Sequence, residues 1–254
     1  MTISHPADRH PPLDRQETGR YSLAMPATAL PPTGDQPSPA ATLCDARGMA
    51  EIHRFFRAGF GEGPALVLGV ADADAAHADI VGDHLALLSV SLHAHHEGED
   101  EMLWDRLEQR APSCAAHVAR MKQHHATMLV HLVELDEALP AWRTSGSRSD
   151  AAAVLAALAG INTALDVHLG DEEANIVPVM ESVLTQKEVD WFGEHGRKAT
   201  PKGKTWVQLG AILAAQPDGG DEWMREHLPP PVRLIWRVVG KPKYAANRRA
   251  LTRA

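Results

Sequence analysis

Six residues of two chemical kinds recur at helical spacing along this chain: His53, His95 with Glu99, His125, and His168 with Glu172. A histidine four residues before a glutamate puts both side chains on one helix face, one turn apart. Their neighbours at that spacing are apolar. Leu88, Leu92, His95, Glu99 and Leu103 form one stripe, and Ile161, Leu165, His168, Glu172 and Ile176 repeat it. Two more stripes carry a single histidine each, Met49–His53–Phe56–Phe60 and Met121–His125–Met128–Leu132. A core histidine on its own is satisfied by a backbone carbonyl. Several ionisable groups in one core cost several kcal/mol each unless something compensates them. A metal does so, because imidazole nitrogen and carboxylate oxygen are its ligands and its charge offsets the glutamates. Six ligands exceed the four of a tetrahedral zinc site. They suit two octahedral-leaning ions that share carboxylates, iron as first choice and manganese as second.

Four long helices must carry these side chains. The first runs from about Asp45 towards Phe60 and resumes after Gly61, Gly63 and Pro64; the second spans roughly Asp74 to Gln109. The third runs from Ser113, its expected N-cap, to Ala141, and the fourth from Ser149 to Val183. Short links between long amphipathic helices imply antiparallel neighbours, so the expected fold is all-α, an up-down-up-down four-helix bundle over residues 45–185. Residues 1–44 read as a disordered tail, with eight prolines in the first 40 positions. Residues 186–254 read as a partly helical extension. Thr185 and Glu188 form a capping box at its start, and its last part, from Arg233, has seven Lys or Arg and no acid and reads as a solvated basic end.

In the crowded word HAHHEGED, residues 93–100, only His95 and Glu99 lie on the stripe. His93, Glu97 and Glu101 read as solvated or flanking. His96 and Asp100 read as partners behind the ligands, and Asp100 and Glu173 as proton shuttles on the flank. His124 replaces His125 as ligand only if the third helix is rotated.

The net charge of −8 argues against a nucleic-acid partner. Cys44 and Cys114 make no zinc motif and read as reduced thiols of a cytoplasmic protein. No charged-then-apolar leader opens the chain, and no uninterrupted apolar run approaches the roughly 20 residues of a transmembrane segment.

The order His, His-x-x-x-Glu, His, His-x-x-x-Glu over four helices resembles the hemerythrin-like (HHE cation-binding) domain family. The words HHEGEDEMLW and HLGDEEANIVPVM are similar to the family's second- and fourth-helix blocks. The resemblance implies a left-handed bundle around an oxo- or hydroxo-bridged di-iron centre, with Glu99 and Glu172 bridging and the histidines capping. Oxygen-carrying members have a further histidine one turn from the third-helix ligand. Here Met121 and Leu129 stand four positions from His125, so that ligand is absent and one position is left open. The expected function is therefore a non-haem di-iron protein that binds or turns over a small oxidant, dioxygen, hydrogen peroxide or nitric oxide. Catalase-like peroxide turnover is its enzymatic form, and an iron- or oxygen-responsive sensor is the alternative.

Overall fold

The computed structural model describes residues 42–253, all helix, turn and loop without a strand among them. The expected disorder of residues 1–41 lies outside the described residues. The last part of that expected tail is ordered: the Leu43 N–H donates to the Glu181 carbonyl at 2.7 Å, and Cys44 is buried.

Four long helices form the core. They are α1 (Arg47–Leu68), α2 (Ala75–Gly98), α4 (Ala115–Ser145) and α5 (Arg148–Asn175). Each packs against two of the others: α1 on α2 and α5, and α4 on α2 and α5. Between α2 and α4 lie a single π-helical stretch, Glu99–Leu103, and α3 (Trp104–Arg110).

Local chemistry explains where these helices run on or stop. The expected interruption of the first helix near Gly61 does not occur. Pro64 lacks the N–H that would bond the Phe60 carbonyl, and the Asn162 Nδ2 donates to that carbonyl at 3.0 Å instead. Asp74 caps α2 through the His77 N–H. Ser113 is not the cap of α4; it lies in a 3-10 turn, Pro112–Cys114, and Cys114 holds the N-cap position without a side-chain bond. The fourth helix is not continuous to Val183. It breaks at Ile176 and restarts as α6 (Val177–Val183), with Pro178, which cannot donate to the turn before it, in the new first turn.

Gly146 ends α4 at φ 61°, and its carbonyl accepts from the Ala73 N–H. A Cβ there would stand 2.5 Å from the Ala75 nitrogen. Gly146→Ala is expected to cost about 2 kcal/mol, read as a lower urea midpoint at unchanged slope.

The core is apolar at both ends and polar in a layer between. One cluster holds Phe56, Leu92, Met128 and Leu165; the other holds Met49, Leu103, Met121 and Ile176. On every one of the four stripes the histidine falls between a member of the first cluster and a member of the second. One stretch, Arg148–Val183, is long and apolar enough to cross a membrane, unlike the shorter run expected. In this fold it carries His168 and Glu172 into that layer.

The extension continues as α7 (Gln186–Ala199), α8 (Thr205–Ala214), α9 (Asp221–His227), α10 (Pro230–Ile235), a π-helical stretch and α11 (Lys241–Thr252). The Thr185–Glu188 capping box is present, and Glu188 also binds Arg106 and Arg110 of α3. The basic end is not simply solvated. Arg248 grips Glu62 of α1 through two bonds of 2.5 and 2.7 Å, Arg253 pairs with Asp74, and the His77 Nε2 meets the Leu251 carbonyl at 2.8 Å.

Candidate metal centre

All six residues singled out from the sequence converge in the polar layer. His53, Glu99, His125, His168 and Glu172 are buried, and His95 is nearly so. They form two groups that share a member: His53, His95, Glu99 and Glu172 in one, His96, Glu99, His125 and His168 in the other. Within each group one ligand-type atom per residue lies within 4.8 Å of the rest.

Glu99 faces both ways. Its Oε1 is 3.3 Å from the His95 Nε2 and its Oε2 is 3.2 Å from the His125 Nε2. The Glu172 Oε2 sits between the remaining histidines, 3.4 Å from the His53 Nε2 and 3.6 Å from the His168 Nε2. The His53 and His95 Nε2 atoms are themselves only 3.3 Å apart.

His96 is the addition that sequence spacing missed as a member of the set. Its ring stacks on His125 at 4.1 Å and stands edge-on to His168 at 5.1 Å. Neighbours at i and i+1 point about 100° apart on a helix. His95 and His96 therefore reach different groups from one turn of α2. His124, by contrast, belongs to neither group. Its ring stands edge-on to His168 at 5.9 Å, and His125 holds the position facing Glu99.

The stretch after Glu99 is π-helical, with the Trp104 N–H donating to the Glu99 carbonyl five residues back. The widened turn is a feature often found at functional sites. It also sets the Trp104 indole to donate to Asp100 at 2.7 Å.

The acids following the two glutamates orient histidines on other helices. The Asp100 Oδ1 is 2.8 Å from the His125 Nδ1, and the Glu173 Oε1 is 2.8 Å from the His53 Nδ1. Arg57 holds Glu173 from outside at 2.6 Å. Each carboxylate turns the Nε2 of its histidine inward, the tautomer a ligand needs.

Burial and the adjacent Glu172 charge push Glu99 up to about 8. At Glu172 burial acts in the same direction, but His53 and His168 outweigh it and hold that carboxyl below its ordinary range. Burial lowers His53 and His125 too, yet Glu172 and Glu173 raise the first, and Asp100 and Glu99 the second, each to about 9. Burial dominates at His168, lowered to about 4, and at His95 and His96, both well below the usual imidazole value.

Both oxygens of Glu99 and of Glu172, the Nε2 atoms of His96 and His125, and both ring nitrogens of His168 are buried without a hydrogen-bond partner. Unpartnered buried acceptors this dense are costly, and they converge on two points. Cations at those points would satisfy them, so the donor set fits a pair of metal ions.

Residues 46–180 match the family model of the Hemerythrin HHE cation binding domain, more than half of the chain. The chain belongs to that family, and it carries a His/Glu metal-binding domain. No curated protein and no solved structure matches it.

The two orienting acids are expected to matter beyond their own contacts. Asp100→Asn and Glu173→Gln should each weaken metal retention about 10- to 100-fold, read by competition with a chelator. Unchanged retention in both would show that the histidines need no such support.

Proposed function

We propose that this protein is a non-haem di-iron protein that binds or turns over a small oxidant, dioxygen, hydrogen peroxide or nitric oxide. Manganese is the second choice of metal. The observation that carries this reading is Glu99, whose two unpartnered oxygens each face a different histidine group. We read the four long helices as an up-down-up-down bundle in which Glu99 and Glu172 would hold the two ions together with the histidines. Iron held there would supply the electrons and the coordination position that a small oxidant requires. The chain's own residues do the rest. Phe56 packs its ring against His95 at 5.2 Å and Trp104 against His125 at 5.4 Å. Together with the buried Leu92, Met128, Ile161 and Leu165 they keep bulk water out. Asp100 and Glu173 hold the Nδ1 protons of His125 and His53, fixing the orientation in which Nε2 is the free donor atom. His96 would add an imidazole to the group of Glu99, His125 and His168.

A sensor without turnover is the second reading, and the extension favours it. α8 packs on α1 and α11 on α2, and two ion pairs cross between them, Lys204 at the start of α8 with Asp83 of α2 and Arg248 of α11 with Glu62 of α1. A change in the core helices would be felt there. The two buried free thiols, Cys44 and Cys114, accord with the cytoplasm as its compartment.

Metal analysis followed by peroxide challenge of the loaded protein separates these readings. Two irons per chain with sustained oxygen evolution is the expected result for peroxide turnover. A single spectral change without turnover favours the sensor. One zinc per chain would overturn the di-iron assignment.

A further inference from the structure

Away from the metal centre, α1 and α2 enclose a second space together with α8 and α11. It is a cavity of about 330 Å³, within the usual range for small-molecule sites. Its body is apolar, with Phe55, Leu87, Leu88, Val207 and Ala211 among its walls, and one part is polar: Glu62, His84, Tyr244, Asn247 and Arg248.

The polar part is incompletely satisfied. His84 is 6% exposed, yet neither ring nitrogen makes a hydrogen bond; its Nε2 stands 3.3 Å from the Glu62 Oε1 without forming one. The Asn247 Oδ1 is likewise buried and unpartnered. Buried polar atoms left alone are uncommon and costly. Glu62 and Arg248 do not need a ligand, since they neutralise one another through two bonds. The space therefore lacks a hydrogen-bonding partner and does not call for a charge.

We propose that this cavity is a binding site for a small, neutral, ring-sized molecule bearing a hydroxyl group, a phenol or alicyclic alcohol. The apolar walls take the ring. A hydroxyl both donates and accepts, so it satisfies His84 in either tautomer and Asn247 in either amide orientation. An acid would face Glu62 and an amine would face Arg248, each adding an uncompensated charge to a neutralised pair. The site is separate from the metal groups, with none of their residues in its lining, and it stands whatever the metal centre does.

The test uses the full chain with bound metal and two fluorescent probes, 2-naphthol and naphthalene, which share a ring system and differ by one hydroxyl. Saturable binding of 2-naphthol is expected, with naphthalene weaker by about tenfold, one hydrogen bond's worth of affinity. His84→Phe should bring 2-naphthol down to the level of naphthalene. Ala211→Trp, which fills the cavity from α8, should abolish both, with helical circular dichroism and metal content unchanged. Equal affinity for the two probes would leave only an apolar void and overturn the proposal. So would the absence of saturable 2-naphthol binding, or full binding by a folded Ala211→Trp variant.

Discussion

Replacing Glu99 by alanine is expected to strip metal from both histidine groups at once, an effect that no single histidine substitution should match. The reason is geometric: Glu99 is the one residue common to the two groups, with a separate oxygen for each. Any terminal ligand serves one ion only, so its loss leaves the other ion's ligands in place. Glu99→Gln is the sharper control. It keeps the volume but leaves one acceptor oxygen, so at most one group should retain metal. Without metal, the Gln variant should melt no lower than metal-free wild type. Its amide is neutral, as the Glu99 carboxyl raised to about 8 already is at lower pH, so the exchange adds no buried charge. Elemental analysis and calorimetry on the same preparations give both readings. A full metal complement in Glu99→Ala would refute the shared-ligand role.

His96→Ala should act on one ion alone. Its Nε2 is buried and unpartnered, and its ring lies against His125 and His168. Substitutions of outer partners already weaken metal sites about 10- to 100-fold, and a directly placed imidazole should cost at least as much. In a chelator titration the variant is expected to release one ion early and the other at the wild-type concentration. His124→Ala is the contrast, since His124 lies in neither group; it should keep both ions. If His124→Ala loses an ion and His96→Ala does not, the third helix is turned from the orientation described above.

Much of the site was legible because α-helical periodicity is a local property. His95 and Glu99 are four apart, as are His168 and Glu172, and apolar neighbours at the same spacing mark which face is inward. That argument selects one residue per turn. It passed over His96 for that reason, since His96 is off the stripe by one position. The only visible signal was the doubled histidine itself, and it could not be told from an ordinary partner behind the ligands. The second helix, expected from about Asp74 to Gln109, runs from Ala75 to Arg110, but the π-helical turn inside it was not legible for a related reason. A π-helical turn inserts a residue into the helical register, and nothing in EDEML announces it.

The extension shows the same division. Its first helix start followed from the Thr185–Glu188 capping box. Where its basic end goes depends on Glu62 and Asp74, about 180 residues earlier in the chain, and no local pattern connects them. By itself, the sequence determined roughly where the four long helices run, which face of each is apolar, and which six side chains interrupt that face. These follow from spacing within a few turns. Only the tertiary structure decided that Glu99 faces two groups, that Asp100 and Glu173 serve histidines on other helices, and that His96 points inward. Each of those depends on how four helices are rotated about their axes when they pack, and that rotation is set jointly by all four.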